Sequence, residues 1–116
     1  MNEKAEELVK ELIARYMGRK PKTISLKLSW DDVSEIRISG NGLDERVEYP
    51  LTISFTSFAQ GVIEAYEEVY GKLRVVPVGL REEIYENDKV SLDLYPSGGA
   101  GVFEIFVTYK DRERGE

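Results

Sequence analysis

The chain has 116 residues, 41% of them hydrophobic and 33% charged, with a net charge of −6 and neither histidine nor cysteine. This composition excludes a disulfide framework, thiol catalysis and imidazole-based proton transfer or metal ligation, and leaves carboxylates, Lys, Tyr, Ser and Thr to carry any chemistry. The length suits one domain around one core, and no run approaches the ~18 apolar residues of a membrane span.

The charge is uneven. Residues 1–22 carry six basic and four acidic groups, whereas residues 23–71 carry three basic and nine acidic ones. An acidic middle repels nucleic-acid phosphates and favours basic protein surfaces. Charge and hydrophobe alternate through residues 1–22, so no signal-peptide stretch is present and a cytoplasmic chain is expected. Abundant Glu, Lys and Arg without Cys or His leans towards a thermophilic source.

Ala5, Leu8, Val9, Leu12, Ile13 and Tyr16 recur at helical spacing and predict an amphipathic helix over residues 3–17, with Gly18 as its stop. Ile24, Leu26, Leu28 and Trp30 then alternate with polar residues as a half-buried strand, and Asp31 and Asp32 form a turn. A second strand carries Ile36 and Ile38, and Gly40-Asn41-Gly42 supplies a tight hairpin turn. A third strand is predicted over residues 46–56, with Val47, Tyr49, Leu51, Ile53 and Phe55 on one face. Pro50 marks it as an edge or a bulge.

Ser57 and Gln60 have the spacing of a capping box for a second helix, whose apolar stripe is Phe58, Val62, Ala65, Tyr66 and Val69 and whose end is Gly71. Strands follow over residues 73–78 and 82–86, then at Val90, Leu92 and Leu94, and at Phe103, Ile105, Val107 and Tyr109. The charged tail beyond Lys110 is expected to fray. The fold class is therefore α+β: one mainly antiparallel sheet of six or seven strands, with both helices on one face. Residues 1–110 form a single domain and residues 111–116 the tail. Thr23, Ser25, Lys27, Arg37, Glu48, Thr52, Ser54 and Thr56 are expected on the opposite, open face.

Several clusters invite a functional reading. Gly98, Gly99 and Gly101 could cradle a phosphate, but that loop feeds a strand, not a helix, and has no Lys-Ser/Thr pair after it, so a hairpin connection accounts for it. Asp31, Asp32 and Glu35 form one acidic cluster and Glu82, Glu83, Glu86 and Asp88 another. Neither has the offsets of a calcium loop, and both suit contact with a basic partner. Tyr85 and Lys89 have a dehydrogenase-like spacing without the helix and dinucleotide fold that would give it meaning. Arg15, Arg19, Lys20 and Lys22 make a small basic end to the first helix; helix capping explains three of them, and four charges without interleaved aromatics are a poor nucleic-acid signature. Tyr16, Trp30, Tyr66 and Tyr70 are candidates to line a pocket between helices and sheet, or else to pack at the core boundary.

The order of the first five elements is similar to that of class I type III secretion chaperones, which are small, acidic and usually dimeric, although a glycine-rich hairpin stands here in place of their terminal helix. Small acidic immunity and antitoxin proteins share the general type. Neither likeness transfers a site. The sequence thus points to a non-enzymatic binding module that engages a protein partner, a basic one by charge, or itself as a homodimer. No catalytic residue, metal or cofactor is assigned, and neither nucleic acid nor membrane is expected as a partner. The alternative is a small-ligand or carboxylate-based enzyme domain with a pocket between sheet and helices.

Overall fold

The apolar spacings resolve into two helices and a seven-stranded antiparallel sheet in the computed structural model, which describes residues 2–97 and 101–110. In chain order these are α1 (Asn2–Tyr16), β1 (Thr23–Leu28), β2 (Ser34–Gly40), β3 (Leu43–Tyr49), α2 (Phe55–Tyr70), β4 (Arg74–Pro77), β5 (Glu83–Glu86), β6 (Val90–Ser97) and β7 (Val102–Tyr109). The sheet order is β3-β2-β1-β7-β6-β5-β4. The last strand closes against the first, and β3 and β4 form the two edges. The α+β architecture with both helices on one face is as the sequence predicts. Among the described residues no helix is long and apolar enough to cross a membrane. The charged tail, residues 111–116, and the glycines of the final hairpin at 98 and 99 lie outside the described residues.

Alternation places one core row across the sheet. Ile24 faces Ile38 on one side and Ile105 on the other, and Leu26 likewise faces Ile36 and Phe103. Leu92 and Leu94 extend the row through β6. Val9, Leu12 and Ile13 of α1 and Phe58, Val62 and Tyr66 of α2 close over it. The helices run side by side in the same direction. Gly61 of α2 meets α1 so closely that an added Cβ would lie 2.7 Å from Val9 Cβ and 2.8 Å from the Glu6 carbonyl oxygen. Beside this contact, Lys10 pairs with Glu68, about two turns beyond Gly61, at 2.6 Å.

Two boundaries differ from the sequence prediction. Gly18 does not stop the first helix. The chain tightens into a 3₁₀ turn over Met17–Arg19, and Lys20 takes the left-handed conformation at φ 53°, its carbonyl held by the Asn41 side-chain amide at 2.7 Å. The third strand ends at Tyr49 and not at Thr56, so Thr52, Ser54 and Thr56 lie on no sheet face. The cause is Ser34, which is fully buried. Its hydroxyl donates to the Leu51 carbonyl and accepts from the Ile53 amide, both at 2.8 Å. That side chain satisfies the backbone that a ladder would otherwise pair, and Pro50 could not donate to one in any case. Released from the sheet, Ser54 becomes the N-cap of α2 and accepts from the Ser57 amide at 3.1 Å, so the predicted cap Ser57 is already helical and buried.

Lys110 is anchored as well. Its amide donates to the Lys89 carbonyl, and its ammonium donates to Glu86 and to the Asn87 carbonyl, each at 3.0 Å.

Two substitutions test these contacts in urea denaturation. Gly61→Ala should cost about 1–3 kcal/mol by overpacking the helix contact, whereas Gly18→Ala, with open space around its position, should be nearly neutral. Ser34→Ala should cost about 1–3 kcal/mol, because the Ile53 amide and Leu51 carbonyl are left buried without a partner.

Candidate functional site

The helices cover the sheet from β3 to β6 and leave the β4–β5 hairpin projecting past α2. Between them lies a groove of about 390 Å³. Thr56, Ala59, Gln60 and Ile63 of α2 form its inner wall, Leu94 and Phe103 its floor, and Pro77, Leu80, Arg81 and Glu83 the hairpin side. Phe55 and Phe58 fix the helix over this floor by edge-on contacts with Phe103 at 5.2 and 5.7 Å. On the hairpin side Leu80 is fully exposed, and elsewhere on the hairpin, away from the groove, Val75 and Val78 are about half exposed.

Asn87 sets the angle of the hairpin. Its side-chain amide donates to the carbonyls of Tyr70 at 3.1 Å and Lys72 at 3.2 Å, which caps the end of α2. Its Oδ1 accepts from the amides of Lys89 and Val90, which closes the β5–β6 turn. One side chain thus ties the helix end to the strand turn. Glu67 adds a second tie by accepting from the Leu73 amide at 3.0 Å.

Strand alternation splits the acidic cluster of residues 82–88. Glu83 faces the helix side at the groove, where its carboxylate accepts a long hydrogen bond from Tyr85. Glu86 lies on the open face and is occupied by Lys110 at 3.0 Å and Arg74 at 3.7 Å. Asp88 is exposed in the β5–β6 turn. Glu82 lies at the mouth of the groove and beside Asp93. The other acidic cluster is not gathered either. Asp31 and Asp32 project from the β1–β2 turn, and Glu35 pairs with Arg46 at 2.7 Å on the open face. Among the described residues no group of three or more acidic side chains could hold a metal ion.

The four aromatic candidates separate too. Trp30 is 99% exposed in the β1–β2 turn and lines nothing. Tyr16 stands near Tyr49 of β3. Tyr66 and Tyr70 are together, stacked at 5.8 Å, but Tyr109 fills the space before them. Tyr109 donates its proton to the Pro21 carbonyl at 2.8 Å, so Tyr66 must be the donor in the 2.7 Å contact between the two hydroxyls. Burial pushes the Tyr66 and Tyr109 phenols well above their ordinary range. These rings are core and not pocket lining.

Sequence reasoning missed Asp93. It lies on the open face between Ile84 of β5 and Phe106 of β7, and its Oδ1 is buried with no hydrogen-bond partner among the described residues. Burial first, and then proton sharing and repulsion with the nearby Glu82 carboxyl, push Asp93 up to about 6. The available signal was a lone acid in a strand whose alternate neighbours on that face, Ser91 and Tyr95, are uncharged. Tyr95 and Phe106 meet edge-on at 5.5 Å close by.

No protein-family model and no curated protein matches this chain.

Because the folded state holds the Asp93 proton more tightly than the unfolded chain does, this group favours folding at low pH, and that contribution is lost as pH rises towards and through about 6. Asp93→Asn should therefore raise the urea midpoint at pH 8 and gain little at pH 4. An equal shift at both pH values would show that the carboxyl does not titrate in this range.

Proposed function

We propose that the chain is a small acidic, non-enzymatic binding module of the cytoplasm, and that its partner is a protein segment seated between α2 and the β4–β5 hairpin. The observation that carries this reading is the groove itself. It has an apolar floor at Leu94 and Phe103, and its hairpin side presents Pro77 and the fully exposed Leu80 to solvent. Glu82 and Glu83 at its mouth, with Arg81 the one cation lining it among the described residues, favour a segment whose apolar anchor is flanked by Lys or Arg. A single large side chain suits the space, since anchors of this kind carry most of the energy of such contacts.

One observation favours a second reading, a ligand site using carboxylate chemistry. Asp93 beside Glu82 is set near neutrality, where a general acid or base works best. Asp93 lies on the open face, however, whereas the groove lies on the helix face, and only Glu82 adjoins both. The binding reading uses the groove without needing that pair.

Peptide arrays presenting one Leu, Phe or Trp between basic or acidic flanks test the proposal. Basic-flanked peptides should bind more tightly and lose affinity as salt rises, and Ala59→Arg, which fills the groove, should abolish binding. Glu83→Lys should weaken binding by roughly 3- to 10-fold, mainly through a slower association rate. Equal binding of acidic-flanked peptides, or full binding by Ala59→Arg, overturns the reading.

A further inference from the structure

The two sheet edges are not equivalent. On β4 the Val78 amide donates to the Glu82 carbonyl, so by antiparallel alternation Arg74 and Val76 also face β5. Of the groups facing outward, Pro77 has no N–H and the Leu73 amide is taken by Glu67, which leaves Val75 as the one residue presenting both donor and acceptor. That edge is blunted.

The edge of β3 is intact. Asn41 and Gly42, with φ of 53° and 85°, form the two-residue turn of the β2–β3 hairpin, and Gly40 faces Leu43 across it. Alternation from that pair turns the backbone of Leu43, Glu45, Val47 and Tyr49 towards β2 and the backbone of Asp44, Arg46 and Glu48 outward. The side chains of these last three lie on the open face. There Glu48 stands opposite Glu35, and Arg46 opposite Arg37. Two adjacent rows across β2 and β3 therefore carry like charges, acidic in one and basic in the next; Arg46 is offset by its 2.7 Å pair with Glu35 and Arg37 by Asp44 at 3.3 Å, which leaves Glu48 as the one charge of these rows without an ion pair among the described residues.

We propose that β3 pairs antiparallel with β3 of a second copy of this chain, about a twofold axis at Val47, with Arg46 opposite the partner's Glu48 and Glu48 opposite the partner's Arg46. The axis exchanges the two rows. Glu35 and Glu48 then continue into the partner's Arg46 and Arg37, and each like-charge row meets its opposite. Both facing pairs fall on outward backbone groups, so each exchanges both main-chain hydrogen bonds. On the helix face Val47 meets the partner's Val47 at the close, non-hydrogen-bonded position. Arg15 of α1, near enough to Tyr49 to influence its hydroxyl, faces the partner's Glu45. The other registers that pair outward groups are worse. Moving the axis to Arg46 sets arginine against arginine, and moving it to Glu45 sets that carboxylate against its own copy and leaves Glu48 without an opposite charge. With β4 blunted, the pairing closes as a dimer and does not propagate.

Sedimentation equilibrium over a concentration series, together with hydrogen exchange, tests this on the full chain. The wild type should dimerise, with the amides of Arg46 and Glu48 gaining protection as concentration rises. Arg46→Glu and Glu48→Arg should each weaken the dimer by about 10-fold or more, and the double exchange should restore it to within about 3-fold of wild type. Both substituted positions, Arg46 and Glu48, are exposed, and circular dichroism checks that each variant is folded. A wild type that stays monomeric at millimolar concentration overturns the proposal. So does a dimer that ignores the single variants, or a double exchange that fails to recover.

Discussion

The contact of α1 with α2 at Gly61 is the constraint on which the rest of the molecule depends. Only a residue without a side chain lets the Val9 side chain and the Glu6 carbonyl approach α2 this closely. Two helices this near one another cover a limited width of sheet. They cover it from β3, where Tyr49 lies near α1, to β6, whose Val90, Leu92 and Leu94 are buried. A seven-stranded sheet is wider than that, so the β4–β5 hairpin is left beyond the helical layer. Val75 and Leu80 are exposed because no helix covers the hairpin there, and the groove is the gap at the helix margin. A larger residue at position 61 would push α2 outward over that margin, so the same contact that stabilises the core also keeps the groove open.

Polar groups placed within the apolar frame decide where the chain turns, and these were the hardest features to read from sequence. The alternation of β1, β2, β6 and β7 and the heptad-like spacing of α1 were legible because each side chain reports its own face. Ser34 reports nothing of the kind. A serine in a strand looks solvent-facing, yet its hydroxyl pairs with residues far along the chain and ends β3 early. Asn87 is a similar case, since an asparagine before Asp88 reads as an ordinary turn residue until its amide is seen capping a helix from another part of the sequence. Tyr66 and Tyr70 were ambiguous for a related reason. Amphipathic rings suit a pocket wall or a core boundary equally well, and the hydroxyl chain to Pro21 decides for the core.

The candidate site was legible only in part. Glu82 and Glu83 were visible as acidic residues in a turn-rich segment, but alternation along β5 sends their neighbour Glu86 to the other face, where Lys110 and Arg74 neutralise it. Clustering in sequence therefore overstated clustering in space. The groove's apolar hairpin side was not legible, because Pro77 lies within a predicted strand and Leu80 lies between two predicted strands. Exposure there follows from the width of the helical layer, which no local pattern encodes. The environment of Asp93 is of the same kind, since it stands between Ile84 and Phe106, which come from two different strands.

Placing the groove and the β3 edge at opposite ends of the sheet has a mechanical consequence. The strand order puts β3 first and β4 last, and the molecule is elongated, 49 Å along its longest axis. Pairing through β3 would extend the sheet without touching α2 or the β4–β5 hairpin, so occupancy of one surface does not obstruct the other. The grooves of the two copies would then lie at the outer ends of one continuous sheet, related by the twofold axis. A partner offering two anchor segments at a matching separation would bind both ends, and the second contact would form at a high effective concentration. A weak groove on a small dimer can in this way hold a partner that neither copy alone would retain.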